Sequence, residues 1–253
     1  MAALVSRLKT GKRGSLPGRI LVPLLDLLFP PHCVACGAVG SWFCEECIAK
    51  ISMQLPPLCV SCGRPLASGS ICRRCQREPL SLDGLRSVAW YKAPLSQAIH
   101  SLKYGGVRVL AAPLGALMAT YLTQLSLPAD VLVPVPLHRS RQRQRGYNQS
   151  RLLAEEIALR VGLPVVEGLT RQRDTPAQVH LSRHQRLTNV QGAFRTIDAD
   201  LGGKRVLLVD DVCTTGATLA ACAQALASSD TRSVWALTLA RADDDGPGNP
   251  AGP

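Results

Sequence analysis

The amino-acid sequence predicts an α/β protein, in which a parallel sheet flanked by helices follows a small N-terminal module organised by metal. From about Arg86 onward, short apolar runs alternate with helical stretches, which is the order of a parallel sheet whose strands are joined through helices. Eight of the ten cysteines fall before residue 76 in four Cys-x-x-Cys pairs, a spacing typical of metal ligands. The chain has 253 residues, 46% of them hydrophobic, which is enough for one full-sized core and one smaller module.

Composition divides the chain into four predicted segments. They are a basic flexible N-terminus over residues 1–20, a double zinc ribbon over 21–80, the α/β domain over 81–242 and a disordered tail over 243–253. The apolar run at residues 20–29 is interrupted by Pro23 and Asp26. It is far shorter than the roughly 20 apolar residues of a membrane-spanning helix, so we expect a short amphipathic helix and no membrane span.

The cysteine module is rich in turn residues and has little helical periodicity. Zinc prefers four soft ligands at tetrahedral corners, and each Cys-x-x-Cys pair supplies two thiolates from one tight turn. Taken in sequence order, the pairs form two structural zinc sites, with Cys33, Cys36, Cys44 and Cys47 in the first and Cys59, Cys62, Cys72 and Cys75 in the second. An interleaved pairing stays open, because spacing does not fix connectivity.

Two alternatives to zinc remain open for these cysteines. In the first they are disulfides or reduced structural thiols, and in the second they bind an iron–sulfur cluster. The glycines that follow two of the pairs, Gly37 and Gly63, favour zinc knuckles. The metal-ligand spacing indicates a reducing compartment and therefore a cytoplasmic protein. We expect the module to fold only with metal bound, since it has little core of its own.

The larger domain alternates strands with helices. Strands are predicted at residues 86–91, 131–135, 164–166, 205–210 and 233–239. Helices are predicted at residues 94–103, 109–125, 147–161 and 216–228. This alternation predicts the parallel sheet, and no internal repeat occurs beyond the doubled cysteine pattern.

A phosphate-binding loop is predicted at residues 210–215, between a buried strand and a helix, where open parallel sheets bind ligands. Asp210 and Asp211 repel a phosphate but can accept hydrogen bonds from sugar hydroxyls beside one. Backbone N–H groups and hydroxyls at the helix N-terminus favour the phosphate itself, and they come from Thr214, Thr215, Gly216, Ala217 and Thr218. The predicted ligand is a phosphorylated sugar, and the alternative is an ordinary strand–turn–helix with a threonine cap.

A second anion-binding region is predicted after the strand that ends in the X-Pro-X-Pro turn of residues 130–137. The formal net charge of +11 indicates an anionic partner, whether a phosphorylated small molecule, a nucleic acid or a membrane surface. No acid occurs between residues 131 and 154, whereas five arginines do: Arg139, Arg141, Arg143, Arg145 and Arg151. They would neutralise pyrophosphate or a nucleic-acid backbone equally well, and a solvated basic face is the alternative for any single one.

The run VLLVDDVCTTGAT at residues 206–218 resembles the ribose-5-phosphate signature of type I phosphoribosyltransferases. The resemblance implies that Asp210 and Asp211 hold the ribose hydroxyls of phosphoribosyl pyrophosphate (PRPP), and that residues 214–218 hold its 5-phosphate. It also implies that Mg²⁺ accompanies PRPP. The pyrophosphate would be gripped by the loop after the earlier strand and by a nearby cation, with Pro134, Val135, Pro136 and Arg145 as the candidates.

A narrower resemblance covers nearly the whole chain. The two cysteine knuckles, IHSLKYGG at residues 99–106, RGYNQS at 145–150 and a turn-rich hood at 173–194 together resemble the ComF family of bacterial competence proteins. The family resemblance implies a double zinc ribbon followed by a phosphoribosyltransferase-like domain, with a role in uptake of transforming DNA. Single-stranded DNA and other DNA-uptake proteins are the candidate partners besides PRPP.

Two classes of function stay open. An active phosphoribosyltransferase of nucleotide metabolism would displace pyrophosphate from PRPP, yet no acceptor and no catalytic residue can be named. Thr214 stands where purine-type enzymes carry an acid, and no N-terminal glutaminase region appears. A nucleic-acid-handling protein would rely on arginines, because aromatics are only 4% of residues and few, such as Trp42 and Tyr147, could stack on bases. His100 and Lys103 share one helix face, where a packed or solvated role is expected.

Overall fold

A computed structural model describes residues 30–173, 190, 192–197 and 200–242 of the chain. The predicted N-terminal segment, the amphipathic run at residues 20–29, most of the hood and the tail lie outside the described residues. The segment boundaries predicted at residues 20, 80 and 242 stay predictions.

The described elements alternate as the sequence predicts. The ribbon contributes two short helices, α1 (Glu45–Ala49) and α2 (Arg73–Arg77). The larger domain follows with β1 (Gly84–Trp90), α3 (Leu95–Tyr104), α4 (Ala111–Gln124), β2 (Val131–Pro134), α5 (Arg139–Arg145), α6 (Gln149–Val161), β3 (Leu169–Arg171), β4 (Phe194–Thr196), β5 (Arg205–Cys213), α7 (Ala217–Leu226) and β6 (Ser233–Arg241). Short 3₁₀ turns precede α4 at Arg108–Leu110 and follow α7 at Ala227–Ser229.

Four of the strands form one parallel sheet in the order β1-β6-β5-β2. The carboxyl ends of parallel strands meet at one edge, so β2 and β5 deliver the residues that follow them to the same place. The predicted strand at residues 164–166 is reduced to one bridge, between Val165 and Leu132. The Leu132 N–H donates to the Pro164 carbonyl at 2.9 Å, which places this segment beside β2 in the position of a fifth strand.

Helices cover both faces of the sheet. Along β5, Leu207 and Val209 pack into the core shared with α3, α4 and α6, whereas Val206 and Leu208 pack into the core shared with α7. Alternate residues of a strand point to opposite faces, so a strand that is buried on both sides reads as a continuous apolar run. The run VLLV is therefore explained by burial between two helical layers.

Two local predictions need correction, and one helix was not predicted. The strand predicted at residues 205–210 continues to residue 213, because β6 offers partners further along, pairing Ala240 with Val212 and Arg241 with Cys213. The acid pair therefore belongs to the strand end, and the loop begins only at residue 214. The arginine run of residues 139–145 is a helix, begun by the His138 side chain accepting from the Ser140 N–H.

The short β3–β4 pairing was not predicted either. It is antiparallel, and its two strands flank the hood segment. None of the helices in the described part of the chain is long and apolar enough to cross a membrane.

Candidate functional site

The eight ribbon cysteines form two compact groups in sequence order. The four Sγ atoms of each group all lie within 4.8 Å of one another, and the groups are Cys33, Cys36, Cys44 and Cys47, and Cys59, Cys62, Cys72 and Cys75. The structure therefore groups the four pairs in sequence order and not in the interleaved order. All ten cysteines lie in described residues, and every one is free of a disulfide.

The thiols of the second group cannot all be negative without a cation. Burial raises the pKa of the Cys59 thiol. Hydrogen bonds from the backbone N–H groups of Cys62 and Cys72 act in the opposite direction, and the resulting pKa is lowered to about 6. Burial and the charges of Cys75 and Cys59 raise the pKa of Cys62 well above its ordinary range. A divalent ion removes this conflict by neutralising the thiolates, and four sulfur ligands at this mutual distance fit Zn²⁺.

A cavity of about 380 Å³ opens at the carboxyl edge of the sheet, where β2 and β5 end. Its walls include the residues that follow β2, the end of β5 and the first residues of α7. The charged side chains that line it are Lys103, Arg141, Arg145, Arg171, Asp210 and Asp211. The cations exceed the carboxylates, so the cavity suits a ligand that carries phosphates as well as groups able to bind an acid.

The loop between β5 and α7 takes its shape from Gly216. This residue is the N-cap of α7 and has a φ of +84°, in the left-handed region. A Cβ at this position would have its nearest neighbour, Leu85 Cδ2, at 3.8 Å, so the backbone conformation rather than crowding favours glycine. Thr215 Oγ1 accepts from the Ala217 N–H at 3.3 Å, which steadies the turn. Helix N–H groups at such a turn form an anion site.

The acid pair is held by contacts from two helices. Ser150 Oγ at the start of α6 donates to Asp210 Oδ1 at 2.8 Å. Lys103 Nζ at the end of α3 lies 2.9 Å from Asp211 Oδ1. Asp211 Oδ2 is buried and makes no hydrogen bond within the described residues. Since an unpartnered buried carboxylate oxygen is costly, this atom is suited to a ligand hydroxyl or a cation.

The charges of this cluster are tuned by burial. Burial and the charge of Asp211 raise the pKa of Asp210 to about 7, although Lys103 and the Ser150 hydroxyl oppose the change. Burial alone would lower the pKa of Lys103, but the charges of Asp211 and Asp210 and the hydrogen bond to Asp211 raise it. Lys103 therefore stays charged, while Asp210 titrates near neutral pH, as is common at functional sites.

The hexapeptide RGYNQS at residues 145–150 ties the walls of the cavity together. The Tyr147 hydroxyl donates to the Leu102 carbonyl in α3. The Asn148 side chain caps α6 and also donates from Nδ2 to the Val135 carbonyl at 3.0 Å. The serine that ends the hexapeptide binds the acid pair, so one short motif positions α3, the loop after β2 and the end of β5.

Most of the predicted PRPP-binding residues come together in this cavity. Those that line it are Val135, Pro136, Arg145, Asp210, Asp211, Thr214, Gly216, Ala217 and Thr218. Pro134 and Thr215 are not lining residues. Pro134 ends β2 inside the core, and Thr215 is only 5% exposed, with its carbonyl accepting a hydrogen bond from the ribbon.

Several lining residues were not singled out as site residues in the sequence, and three of them are charged or bind the acid pair. Lys103 was expected to have a packed or solvated role, but it pairs with Asp211 in the cavity wall. Ser150 and Arg171 also line the cavity. The sequence signals for Lys103 and Ser150 are the runs IHSLKYGG and RGYNQS, which contain them. Arg171 had no such signal, because it lies on β3, which was not predicted.

Known proteins share both parts of this architecture. The chain matches a double zinc ribbon domain over residues 24–76 and a phosphoribosyl transferase domain over residues 148–248. The DNA utilization protein YhgH of Salmonella typhimurium is 38% identical over 83% of this chain and 98% of its own length. Competence protein F of Haemophilus influenzae is 31% identical over 68% of this chain and 78% of its own length. The chain belongs to the ComF family.

A third ComF-family relative, competence protein ComFC of Bacillus subtilis, is 29% identical over 78% of this chain and 83% of its own length. The predicted ComF architecture is confirmed: a double zinc ribbon precedes a parallel-sheet domain of the phosphoribosyltransferase type.

Proposed function

We propose that this ComF-family protein binds PRPP together with Mg²⁺ and acts in competence-linked uptake of transforming DNA. The observation that carries the proposal is that one cavity is lined by an acid pair, a helix N-terminal loop and a cluster of cations. A pentose that carries a phosphate at one end and a pyrophosphate at the other matches this set of groups.

The acid pair would accept hydrogen bonds from the ribose hydroxyls. Asp211 Oδ2, buried and without a hydrogen bond among the described residues, supports this role. The 5-phosphate would lie against the N–H groups and hydroxyls of residues 214 and 216–218, at the start of α7. The pyrophosphate would lie toward Val135, Pro136 and Arg145, with Lys103 and Arg141 as further cations.

Mg²⁺ is the ion that fits this arrangement. It prefers hard oxygen ligands and keeps several waters, so it would be held mainly by ligand oxygens, with the acid pair nearby. When bound, it would offset part of the negative charge of the pyrophosphate. Because Asp210 has a pKa near neutrality, a cation at the ribose would also favour its ionised form.

The link to DNA uptake is supported by the family. Relatives that this chain resembles over most of its length are named competence protein F and DNA utilization protein. Single-stranded DNA and other uptake proteins are the proposed partners, and we propose a cytoplasmic location. The basic helix α5 supports contact with a nucleic-acid backbone, since four of its seven residues are arginine.

The binding experiment uses thermal unfolding of the full chain with Mg²⁺ and increasing PRPP. PRPP should raise the Tm of the wild type, because a ligand that binds only the folded state stabilises it by RT ln(1 + [L]/Kd). The double variant Asp210→Asn with Asp211→Asn should lose that rise. Asp200→Asn, whose side chain is 89% exposed, is the matched control and should keep it. A wild type that PRPP does not stabilise would contradict the proposal.

The role in uptake is tested in the cell that carries the gene, by replacing it with the double variant and counting transformants. We expect transformation to fall with the double variant and to persist with Asp200→Asn. Pyrophosphate release on addition of amines or bases, combined with unchanged transformation, would instead favour the alternative, an active phosphoribosyltransferase of nucleotide metabolism. Loss of transformation together with loss of PRPP binding would support the proposal.

A further inference from the structure

The second zinc ribbon is packed directly on the sheet of the larger domain. The Leu85 N–H in β1 donates to the Ser61 carbonyl at 2.7 Å, and Arg86 Nη1 donates to the Val60 carbonyl at 3.1 Å. Gly63 follows the second cysteine of this knuckle, and a Cβ there would lie 2.4 Å from the Leu85 carbonyl oxygen. No side chain fits between this knuckle and β1, so the two backbones form one rigid contact.

One side chain carries this contact to the ligand loop. Arg74 lies on α2, between the zinc ligands Cys72 and Cys75. Its Nη2 donates to the Thr215 carbonyl at 2.8 Å. The backbone position of Arg74 is therefore set by the two metal ligands that flank it in sequence. Its side chain in turn fixes the peptide between Thr215 and Gly216 through the hydrogen bond to the Thr215 carbonyl.

Because the peptide unit is planar, this hydrogen bond also determines the direction of the next backbone N–H. In a trans peptide the carbonyl and the following N–H point in opposite directions. When Arg74 fixes the Thr215 carbonyl toward the ribbon, the Gly216 N–H is directed away from the ribbon. Gly216 lines the cavity, whereas Thr215 does not. Arg74 thus orients the Gly216 N–H of the anion loop without touching the ligand.

A second route joins the same ribbon to the strand that leads into the loop. Arg241 at the end of β6 donates to the Cys62 carbonyl. It is 3% exposed and is paired with Cys213, the last residue of β5. The ribbon therefore contacts the loop itself and also β6, which pairs with the strand before the loop. The first ribbon lies elsewhere, against α3, where Gln97 Nε2 reaches the Ala35 carbonyl at 3.5 Å.

We infer that the second zinc ribbon is a structural wall of the PRPP site and that Arg74 is a positioning residue for the loop that binds the 5-phosphate. This inference rests on the proposed function. Zinc in the second group then sets PRPP affinity through Arg74, while the first ribbon does not act on the loop.

The test compares PRPP affinity by titration calorimetry in the full chain for wild type, Arg74→Ala, Arg74→Lys and Arg77→Ala, with zinc content measured for each. We expect Arg74→Ala to weaken PRPP binding about tenfold, since a charge-assisted hydrogen bond to the loop is lost. Arg74→Lys keeps one charged donor and should recover part of the affinity. Arg77→Ala is the control, because Arg77 lies exposed on the same short helix.

Hydrogen exchange of the loop gives a readout other than affinity. With both zinc ions retained, the amides of residues 214–218 should exchange faster in Arg74→Ala than in Arg77→Ala. Full PRPP affinity and unchanged exchange in a zinc-loaded Arg74→Ala protein would overturn the inference. If that variant does not fold, Arg74→Met decides, because it keeps a long side chain but no donor, and unchanged affinity and exchange there would overturn the inference too. A wild type that fails to bind PRPP would count against the proposed function instead.

Discussion

Lys103 Nζ and Asp211 Oδ1 are 2.9 Å apart, which joins the end of α3 to the acid pair at the end of β5. The side chains are only 20% and 4% exposed, so the pair is poorly screened by water. A cation that appeared in the sequence to be a packing or surface residue is therefore part of the cavity wall. It balances the acid pair and faces the same space as the proposed ligand.

Replacing Lys103 with Met should destabilise the fold and weaken PRPP binding. The variant leaves Asp211 buried without its partner, which we expect to cost about 3 kcal/mol at pH 8. Urea unfolding measures this change, and calorimetry measures the affinity. Lys50→Met, at an exposed position in the ribbon, is the control. Equal stability of the two variants would show that the ion pair contributes nothing.

Asp210 should make the stability of the protein depend on pH. Its pKa in the folded protein is about 7, above the ordinary value of about 3.9, so the folded chain binds this proton more tightly than the unfolded chain does. The stability from this group is complete below pH 4 and is lost as the pH rises through 7. The free energy of unfolding of Asp210→Asn, relative to that of the wild type, should therefore be higher at pH 8 than at pH 5, by on the order of 1–3 kcal/mol.

Urea unfolding of both proteins at the two pH values measures the difference. The same variant should bind PRPP poorly at both, because it lacks the carboxylate that accepts from the ribose. A stability difference that does not change with pH would mean that Asp210 titrates in its ordinary range.

Gly216 can be compared with a second glycine to separate strain from function. Gly216 has a φ of +84° and Gly203 a φ of +66°. A Cβ at Gly216 would come no closer than 3.8 Å to another atom, and a Cβ at Gly203 would meet nothing within 4 Å. Alanine at either position should therefore cost about 1–2 kcal/mol from the left-handed backbone alone.

Only Gly216→Ala should also weaken PRPP binding, because Gly216 lines the cavity whereas Gly203 lies on the surface outside it. Urea unfolding measures the stability of each variant, and calorimetry measures its affinity for PRPP. Equal PRPP affinity of the two variants would show that the loop at Gly216 is not part of the PRPP site.

The elements that sequence predicts well are those fixed by local pattern. The apolar run before Asp210 specifies a strand buried on two faces, and the four Cys-x-x-Cys pairs specify two metal groups. The site is less predictable, because it depends on where separate elements meet. Ser150 reaches Asp210 from 60 positions away and Arg74 reaches Thr215 from 141 positions away. No spacing rule in one sequence encodes such tertiary contacts.

The two metal groups should differ in what their loss does. We expect two zinc ions per chain, one for each cysteine group, and Cys36→Ser or Cys62→Ser should each reduce the content to about one. Cys36 lies exposed in the first ribbon, whereas Cys62 is 6% exposed and its carbonyl accepts from Arg241 of the sheet.

Loss of the second ion should therefore loosen β1, β6 and the anion loop, and lower the Tm more than loss of the first. PRPP affinity should fall in Cys62→Ser and stay near the wild-type value in Cys36→Ser. Zinc analysis, thermal unfolding and calorimetry on the same preparations measure all three quantities. Iron in place of zinc would contradict the metal assignment. Equal losses of stability and affinity in the two variants would show that the contact between the second ribbon and the sheet has no energetic consequence for the site.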